Sequence, residues 1–350
     1  MRTIIGTMTG TSMDGVDAVA VKVDGFGLSM IPTFIDMSSS KLGETKLMLK
    51  QLVEVGGSED EFDVAATLVG EITTKTISKL NVKNIDLIAL HGQTVFHQPP
   101  KSIQLINEEP ILEKFKCPVL SDPRKSDLLL GGQGAPITPL SDWIMFRSEE
   151  ISTAVVNLGG FCNVTLLPAN CQPTQISGFD VCCCNLILNK IANKKLNQEF
   201  DVNGKAATEG TVHQNTLELI LQKLNQQKNE NQSLGSGDDL GDFVLSLGTD
   251  ISTEDLLATT TKAIGICINE STKCFDRVLL AGGGVRNQSL KEAIVHTGTT
   301  EVLGAPIQAR EAMAMAILGG LAQDGVSITL PQVTGRKETN ELVGWTQVRS

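Results

Sequence analysis

Three short stretches of this 350-residue chain carry glycine, hydroxyl and carboxylate residues at a spacing that suits phosphate chemistry. They are Gly6-Thr7-Met8-Thr9-Gly10-Thr11-Ser12-Met13-Asp14-Gly15-Val16-Asp17, then Asn157-Leu158-Gly159-Gly160, then Gly282-Gly283-Gly284-Val285-Arg286-Asn287. Glycine reaches positive φ and lets an anion approach backbone N–H groups with no side chain in the way. Thr11 and Ser12 add hydroxyl donors, and Asp14 and Asp17 are carboxylates of the kind that holds magnesium beside phosphate oxygens. Taken alone, the first stretch reads equally well as a plain tight hairpin.

Each glycine stretch follows an apolar run that reads as a strand. Ile4-Ile5 leads into the first, and Val16 to Val23 continues it as a second strand. Thr153 to Leu158 leads into Gly159-Gly160, with Asn163 to Leu167 following; Arg277 to Ala281 delivers Gly282. Ligands of open α/β sheets bind at such strand ends. Strand–glycine–strand occurs once near residue 1 and again near residue 150, a weak internal repeat that predicts a pseudo-duplicated fold. Helices are expected over Glu61–Leu80, from an N-cap at Ser252 to about Glu270, and over about 309–321, where small Ala and pliable Met residues allow close packing. Ile85 to Leu90 reads as a buried strand ending at His91-Gly92, and Gln226 to Asp242 as a mobile loop. No GxxxxGK[ST] or GxGxxG spacing occurs, so P-loop and dinucleotide-binding readings recede.

Length exceeds what one core usually supports, which predicts two domains of roughly 150 residues. A net charge of −11 disfavours nucleic-acid and anionic-membrane partners and points to a small-molecule partner. An anion such as ATP would then bind through local donors and a cation. The first residues lack an apolar leader, from which a cytoplasmic location is expected. Eight cysteines without a CxxC pair are expected to be reduced thiols.

Together with His-Gly-Gln-Thr-Val-Phe-His (91–97), Gly-Gly-Gln-Gly-Ala-Pro (131–136) and Leu-Pro-Gln-Val-Thr-Gly (330–335), the three stretches resemble the anhydro-N-acetylmuramic acid kinases over almost the whole chain. The resemblance implies an α/β, two-domain actin/hexokinase-like (ribonuclease-H-like) fold with an interdomain cleft, the lobes being 1–135 plus 325–350 and 136–324. It implies a homodimer, ATP and Mg2+ as cofactors, and a small-molecule anhydrosugar partner. Water would open the 1,6-anhydro ring while the freed 6-hydroxyl takes the γ-phosphoryl group, as in cell-wall sugar recycling.

By the same resemblance Asp180 is the general base; an N-cap of the following helix is its plainer reading. Nucleotide would be held by Gly10, Thr11, Ser12, Met13, Asp14, Gly15, Val16, Asp17, Gly159, Gly160, Gly282, Gly283, Gly284 and Asn287, with Asp14 on the metal. His91, Gln93, Arg124 and Glu311 would face the sugar. For His91 a structural hydrogen bond, for Arg124 an exposed surface position, and for Glu311 a first-turn acid are the alternatives. Two segments depart from the family pattern. Asp180-Val181-Cys182-Cys183-Cys184-Asn185 stands where the family has Asp-Thr-Gly-Pro-Gly-Asn, so a changed loop geometry is expected, with altered substrate preference or weakened catalysis. A three-thiolate metal site is sterically awkward for consecutive residues. Gln232 to Gly235 stands where the family has Pro-Lys-Ser-Thr-Gly-Arg-Glu, removing an arginine that could clamp a carboxylate; a different anhydrosugar, of levoglucosan type, or a non-catalytic nucleotide-binding role are the other readings.

Overall fold

The computed structural model describes residues 1–10, 13–230, 234 and 239–348. Contacts divide the chain into two compact units, residues 1–146 with 172–176 and 303–350, and residues 147–171 with 177–302.

In the first unit, strands β1 (Arg2–Thr9), β2 (Gly15–Asp24), β3 (Ile31–Lys41), β4 (Leu87–Leu90) and β7 (Val119–Ser121) form one sheet with β13 (Thr346–Val348), in the order β13-β7-β4-β1-β2-β3. β1 runs antiparallel to β2 and parallel to β4, which is parallel to β7. A separate hairpin of β5 (Gln93–Gln98) and β6 (Lys101–Leu105) follows β4. Alternation decides the faces. Ile5, Ile88, Leu90 and Val119 are buried with Ile77, at the end of helix α1 (Glu59–Ile77). Ser58 and Glu61 close α1 with a reciprocal capping box, so the helix expected over Glu61–Leu80 starts at Glu59 and ends at Ile77.

The opposite face takes helix α8 (Arg310–Gln323), which packs on β1, β2 and β4. Its approach is possible because side chains are missing there: a Cβ on Gly6 would overlap the Ala312 carbonyl, and one on Gly319 would lie 2.8 Å from Ala89 Cβ. At its start Arg310, 1% exposed, donates from Nε to Asp142 Oδ1 (2.9 Å) and from Nη2 to Asp142 Oδ2. Asp142 belongs to helix α3 (Pro139–Phe146). This pair moves the boundaries: where 136–324 was expected as one lobe, α3 and α8 both pack in the first unit, and the contacts divide after Phe146 and before Leu303.

The second unit repeats the same plan. β8 (Thr153–Leu158), β9 (Phe161–Leu167), β10 (Ser177–Cys183), β11 (Arg277–Ala281) and β12 (Gly298–Thr299) stand in the order β10-β9-β8-β11-β12. β8 is antiparallel to β9 and parallel to β11. In both units the first strand is central, the second and third fold back as a meander on one side, and parallel strands follow on the other. This repetition is the duplicated ribonuclease-H-like α/β fold expected. Helices α4 (Asn185–Ile191), α5 (Gln214–Glu230), α6 (Thr253–Thr272) and α7 (Gln288–Ala293) complete the unit's larger elements. Ser252 caps α6 by accepting from the Asp255 amide (3.0 Å), as its sequence predicts.

One expectation fails. Gln226–Glu230 is not loop but the last turn of α5, whose buried face continues from Leu217, Ile220 and Leu224 to Gln227. A polar residue on the buried face hid the helical period from sequence. Residues 231–233 and 235–238 of that segment lie outside the described residues, whereas Gly241–Leu247 is helical.

Removing one partner of a buried ion pair strands the other. Asp142→Ala should cost about 3–5 kcal/mol in urea unfolding, and the double replacement Asp142→Leu/Arg310→Met should recover most of it. An Asp142→Ala protein as stable as the parent would show the pair to be dispensable.

Candidate functional site

In the second unit the glycine turns converge at the carboxyl ends of β8 and β11. Gly282 takes φ +83°, and a Cβ there would lie 2.6 Å from Asn157 Oδ1 and 2.9 Å from the Leu158 oxygen. A Cβ on Gly284 would lie 2.7 Å from Leu158 Cβ. These two glycines are therefore needed for backbone packing. Gly283 differs: it is exposed, and a Cβ there would meet nothing within 4 Å. The turn is open on the side where a side chain would stand. Asn287, expected at the nucleotide, instead caps α7 by accepting from the Leu290 amide at 3.0 Å.

The Gly159–Gly160 turn lies beside the N-terminus of α4. Asn185 N–H donates to the Gly159 oxygen (3.2 Å), while Cys184 and Leu186 N–H donate to the Gly160 oxygen (2.9 and 3.2 Å). Asn185 Nδ2 donates to the Leu158 oxygen at 2.9 Å. The turn's carbonyls are thus drawn onto the helix start. Its amide edges stay half-buried.

Asp180 sits on β10 in register with Asn163 of β9, and a bulge at Val181 follows it. The carboxylate is 8% exposed and Oδ2 accepts from Leu234 N–H at 2.6 Å. It does not cap α4, because Cys184 occupies the N-cap position. At the segment where a changed loop geometry was expected, Cys182 and Cys183 lie in strand β10, Cys184 takes φ −128° and ψ −103°, outside the helical and extended regions, and all three are fully buried. No positive φ is demanded of them. Burial pushes the Cys183 thiol up to about 12, and raises Cys182, through its contact with Cys267 and burial, and Cys184 as well. These buried thiols stay protonated.

In the first unit the chemistry gathers at the carboxyl ends of β1, β4 and β7. His91, 1% exposed, presents Nε2 to Arg124 Nη2 (3.0 Å) and Nδ1 to the Gly92 oxygen (2.8 Å). With Nε2 accepting, the proton is on Nδ1. Burial, then the Arg124 charge, pull His91 down to about 3, so it is neutral at ordinary pH. Arg124 Nη1 donates to the Gly134 oxygen at 2.6 Å, so both ends of its fork are engaged with the protein. Its half-buried guanidinium is neither a plain surface arginine nor an open carboxylate clamp.

Gln93 is fully buried and donates from Nε2 to the Gly10 oxygen (3.3 Å), tying β5 to the first hairpin. Its Oε1 is enclosed with no partner. His97, which sequence reasoning passed over, holds Ser102 through Nδ1 (3.0 Å) and has an enclosed Nε2 with no partner. Burial, then Arg124, lower it to about 4. The repeated histidine in 91–97 was the available signal. Asp127 was missed too. Its Oδ2 accepts from Gly134 N–H (2.8 Å) and its Oδ1 from Thr334 (2.7 Å), which fixes the Gly134 carbonyl that holds Arg124.

The first hairpin divides its residues. Met13, at φ +55°, buries its side chain in the core with Val16 and donates its amide to the Gly10 oxygen (3.1 Å), so neither side chain offers contact to a ligand. Gly15 is small because a Cβ would collide with β3 at 2.5 Å from the Ser40 oxygen. Asp14 is exposed and pairs with Lys46 Nζ at 2.6 Å. Asp17 accepts from Ser39 Oγ at 2.5 Å, and burial raises it. Thr11 and Ser12 lie outside the described residues. Glu311 is half-buried in the first turn of α8. Among the described residues no group of three or more His, Cys, Asp or Glu is placed to hold a metal ion, and no helix is long and apolar enough to cross a membrane.

Residues 2–346 match the family model described as anhydro-N-acetylmuramic acid kinase. The chain is similar to the anhydro-N-acetylmuramic acid kinase of Caldanaerobacter subterraneus subsp. tengcongensis, with 30% identity covering 96% of this chain and 94% of that protein. It is 29% identical to the enzyme of the same name from Salinibacter ruber, over 97% of this chain and 95% of the other. The Francisella tularensis subsp. novicida counterpart is 28% identical, over 95% of each.

Gly284→Ala should lower the unfolding midpoint markedly, by about 1–3 kcal/mol of overpacking, whereas Gly283→Ala should unfold within about 0.5 kcal/mol of the parent. Equal losses would remove the distinction between packing and open glycines. For His91 and His97 the folded values lie below the usual 6.5, so the unfolded chain binds more protons below that pH. Stability should be full above pH 6.5 and fall as pH drops towards about 3, by at most about 1.4 kcal/mol per pH unit per histidine. His91→Gln should flatten that dependence, and an unchanged slope would mean that His91 titrates normally.

Proposed function

Since the chain belongs to the anhydro-N-acetylmuramic acid kinase family and is a phosphotransferase acting on a sugar, we propose that it opens 1,6-anhydro-N-acetylmuramic acid with water and phosphorylates the freed 6-hydroxyl from ATP. The water oxygen bonds to C1, the C1–O6 bond breaks, O6 takes the γ-phosphoryl group and ADP leaves. Asp180 takes the proton from water. The observation that carries this role is its placement: a buried carboxylate, excluded from capping α4, one strand from the Gly159–Gly160 hairpin and held by Leu234 N–H at 2.6 Å.

Within the second unit, the open side of the turn at Gly283 and the half-buried edges of Gly159 and Gly160 suit an anion's close approach. Gly282 and Gly284 support that surface from behind. Gly10 and Gly15 shape the first hairpin and leave Asp14 exposed beside Lys46. Asp14 fits Mg2+, which takes few protein carboxylates and keeps water or phosphate oxygens in its remaining positions; bound there, the ion would neutralise developing phosphate charge. Lys46 would release Asp14 to do so.

Sugar recognition by the first unit rests on the enclosed Gln93 Oε1 and His97 Nε2, which lack partners in the protein and suit hydroxyl or amide groups. Neutral His91 orients Arg124 rather than offering a charge. Glu311 supplies a half-buried carboxylate. A second reading, a levoglucosan-type substrate, is favoured by Arg124: with Nη1 on Gly134 and Nη2 on His91, two of its five N–H donors are already committed within the protein rather than to a sugar carboxylate.

ADP release with 1,6-anhydro-N-acetylmuramic acid, levoglucosan and no sugar separates these readings. Turnover is expected with the muramic substrate; turnover with levoglucosan alone would move the assignment to the second reading. Asp180→Asn should lower kcat by a factor of about 10³ or more while ATP affinity in calorimetry stays the same. Retained turnover would take Asp180 out of the mechanism.

A further inference from the structure

On the face of the first sheet that carries α8, the helix covers β1, β2 and β4 but not all of β7. Leu87 and Leu120 point to this face, Leu120 pairing in register with Ala89, whose side chain meets α8 at Gly319. Helix α2 (Lys125–Leu129) stands on the far side. Between them is a cavity of about 430 Å3 with Leu87, Pro118 and Leu120 as its floor and Ala322, near the end of α8, in one wall. Such a volume is that of a small-molecule site. None of His91, Gln93, Arg124, Glu311 or the glycine turns lines it.

Leucine, proline and alanine side chains make most of its lining, and Lys125, Ser126, Gln323 and Trp345 bring polar groups to it. Trp345 lines it, and the indole Nε1–H is enclosed with no acceptor. Lys125 brings an ammonium group to the rim, and no Asp or Glu lines the cavity although the chain's net charge is −11. Leu129, 79% exposed, and Leu342, 52% exposed, leave apolar surface at the mouth. An apolar floor, the Trp345 ring in the wall, one cation and no carboxylate suit an amphipathic acid: a hydrocarbon body on Leu87 and Leu120, with its carboxylate toward Lys125. We propose that this cavity is a second ligand site, for small amphipathic carboxylates, separate from the site of phosphoryl transfer.

Octanoate is the probe and octanol its neutral control. The chain has two tryptophans, hence two indole N–H resonances in a 1H–15N spectrum, and Trp345→Phe assigns them. Octanoate at millimolar concentration should shift the Trp345 resonance in a saturable way and leave that of Trp143 in place. Lys125→Met should weaken octanoate binding about fivefold or more without affecting octanol. Leu120→Trp, which fills the floor, should abolish the shift, with the unmoved Trp143 resonance reporting an intact fold. A Trp345 resonance that octanoate does not move, octanol binding as tightly as octanoate, or indifference to Lys125→Met would each overturn the proposal.

Discussion

Backbone meeting backbone without side chains between them is the constraint on which the second unit rests. Leu158 ends β8 directly against Gly282 and Gly284 after β11, and any Cβ at those positions would enter occupied space. Because parallel strands β8 and β11 end together, the glycines that allow the contact also form the surface beyond the strand ends. Close packing and the form of that edge are thus one feature. Gly283 shows the division of labour, since it alone of the triplet faces open space.

The first unit solves a related problem with polar groups. Four segments end at the carboxyl side of its parallel strands, and each brings carbonyls or side chains that need partners away from water. Asp127 fixes Gly134, Gly134 holds Arg124, Arg124 holds His91, and His91 closes on Gly92. Thr9 also donates to the Gly92 oxygen, at 2.5 Å, which links the chain of contacts to β1. A neutral imidazole is a consequence of this order: a second positive charge beside Arg124 in a buried setting would be strongly disfavoured. Gln93 Oε1 and His97 Nε2 are what this order leaves without a partner.

Much of this was legible in the residues. β8 and β11 have the bounds expected, and both hairpin turns fall at their glycines, because alternation and glycine punctuation are local signals. The repeat near residue 150 was legible for the same reason. Interactions spanning long sequence separations were not. Nothing local marks Asp142 as the partner of Arg310, or Asp127 as the organiser of Gly134. The cysteine run was legible only in part: Cys182 and Cys183 complete a buried strand, which their apolar character allows, whereas the irregular backbone of Cys184 at the helix start depends on the fold around it. Asn287 and Met13 show the converse, motif positions whose contacts turn out to be a helix cap and a core.

The central claim is that ring opening by water and phosphorylation occur in one turnover. Incubation of the protein with ATP and 1,6-anhydro-N-acetylmuramic acid in H2 18O, followed by mass spectrometry of the products, tests it directly. The account predicts one 18O atom on the anomeric carbon of the sugar 6-phosphate and none in its phosphate. Label appearing in inorganic phosphate while the sugar keeps its anhydro ring would contradict it.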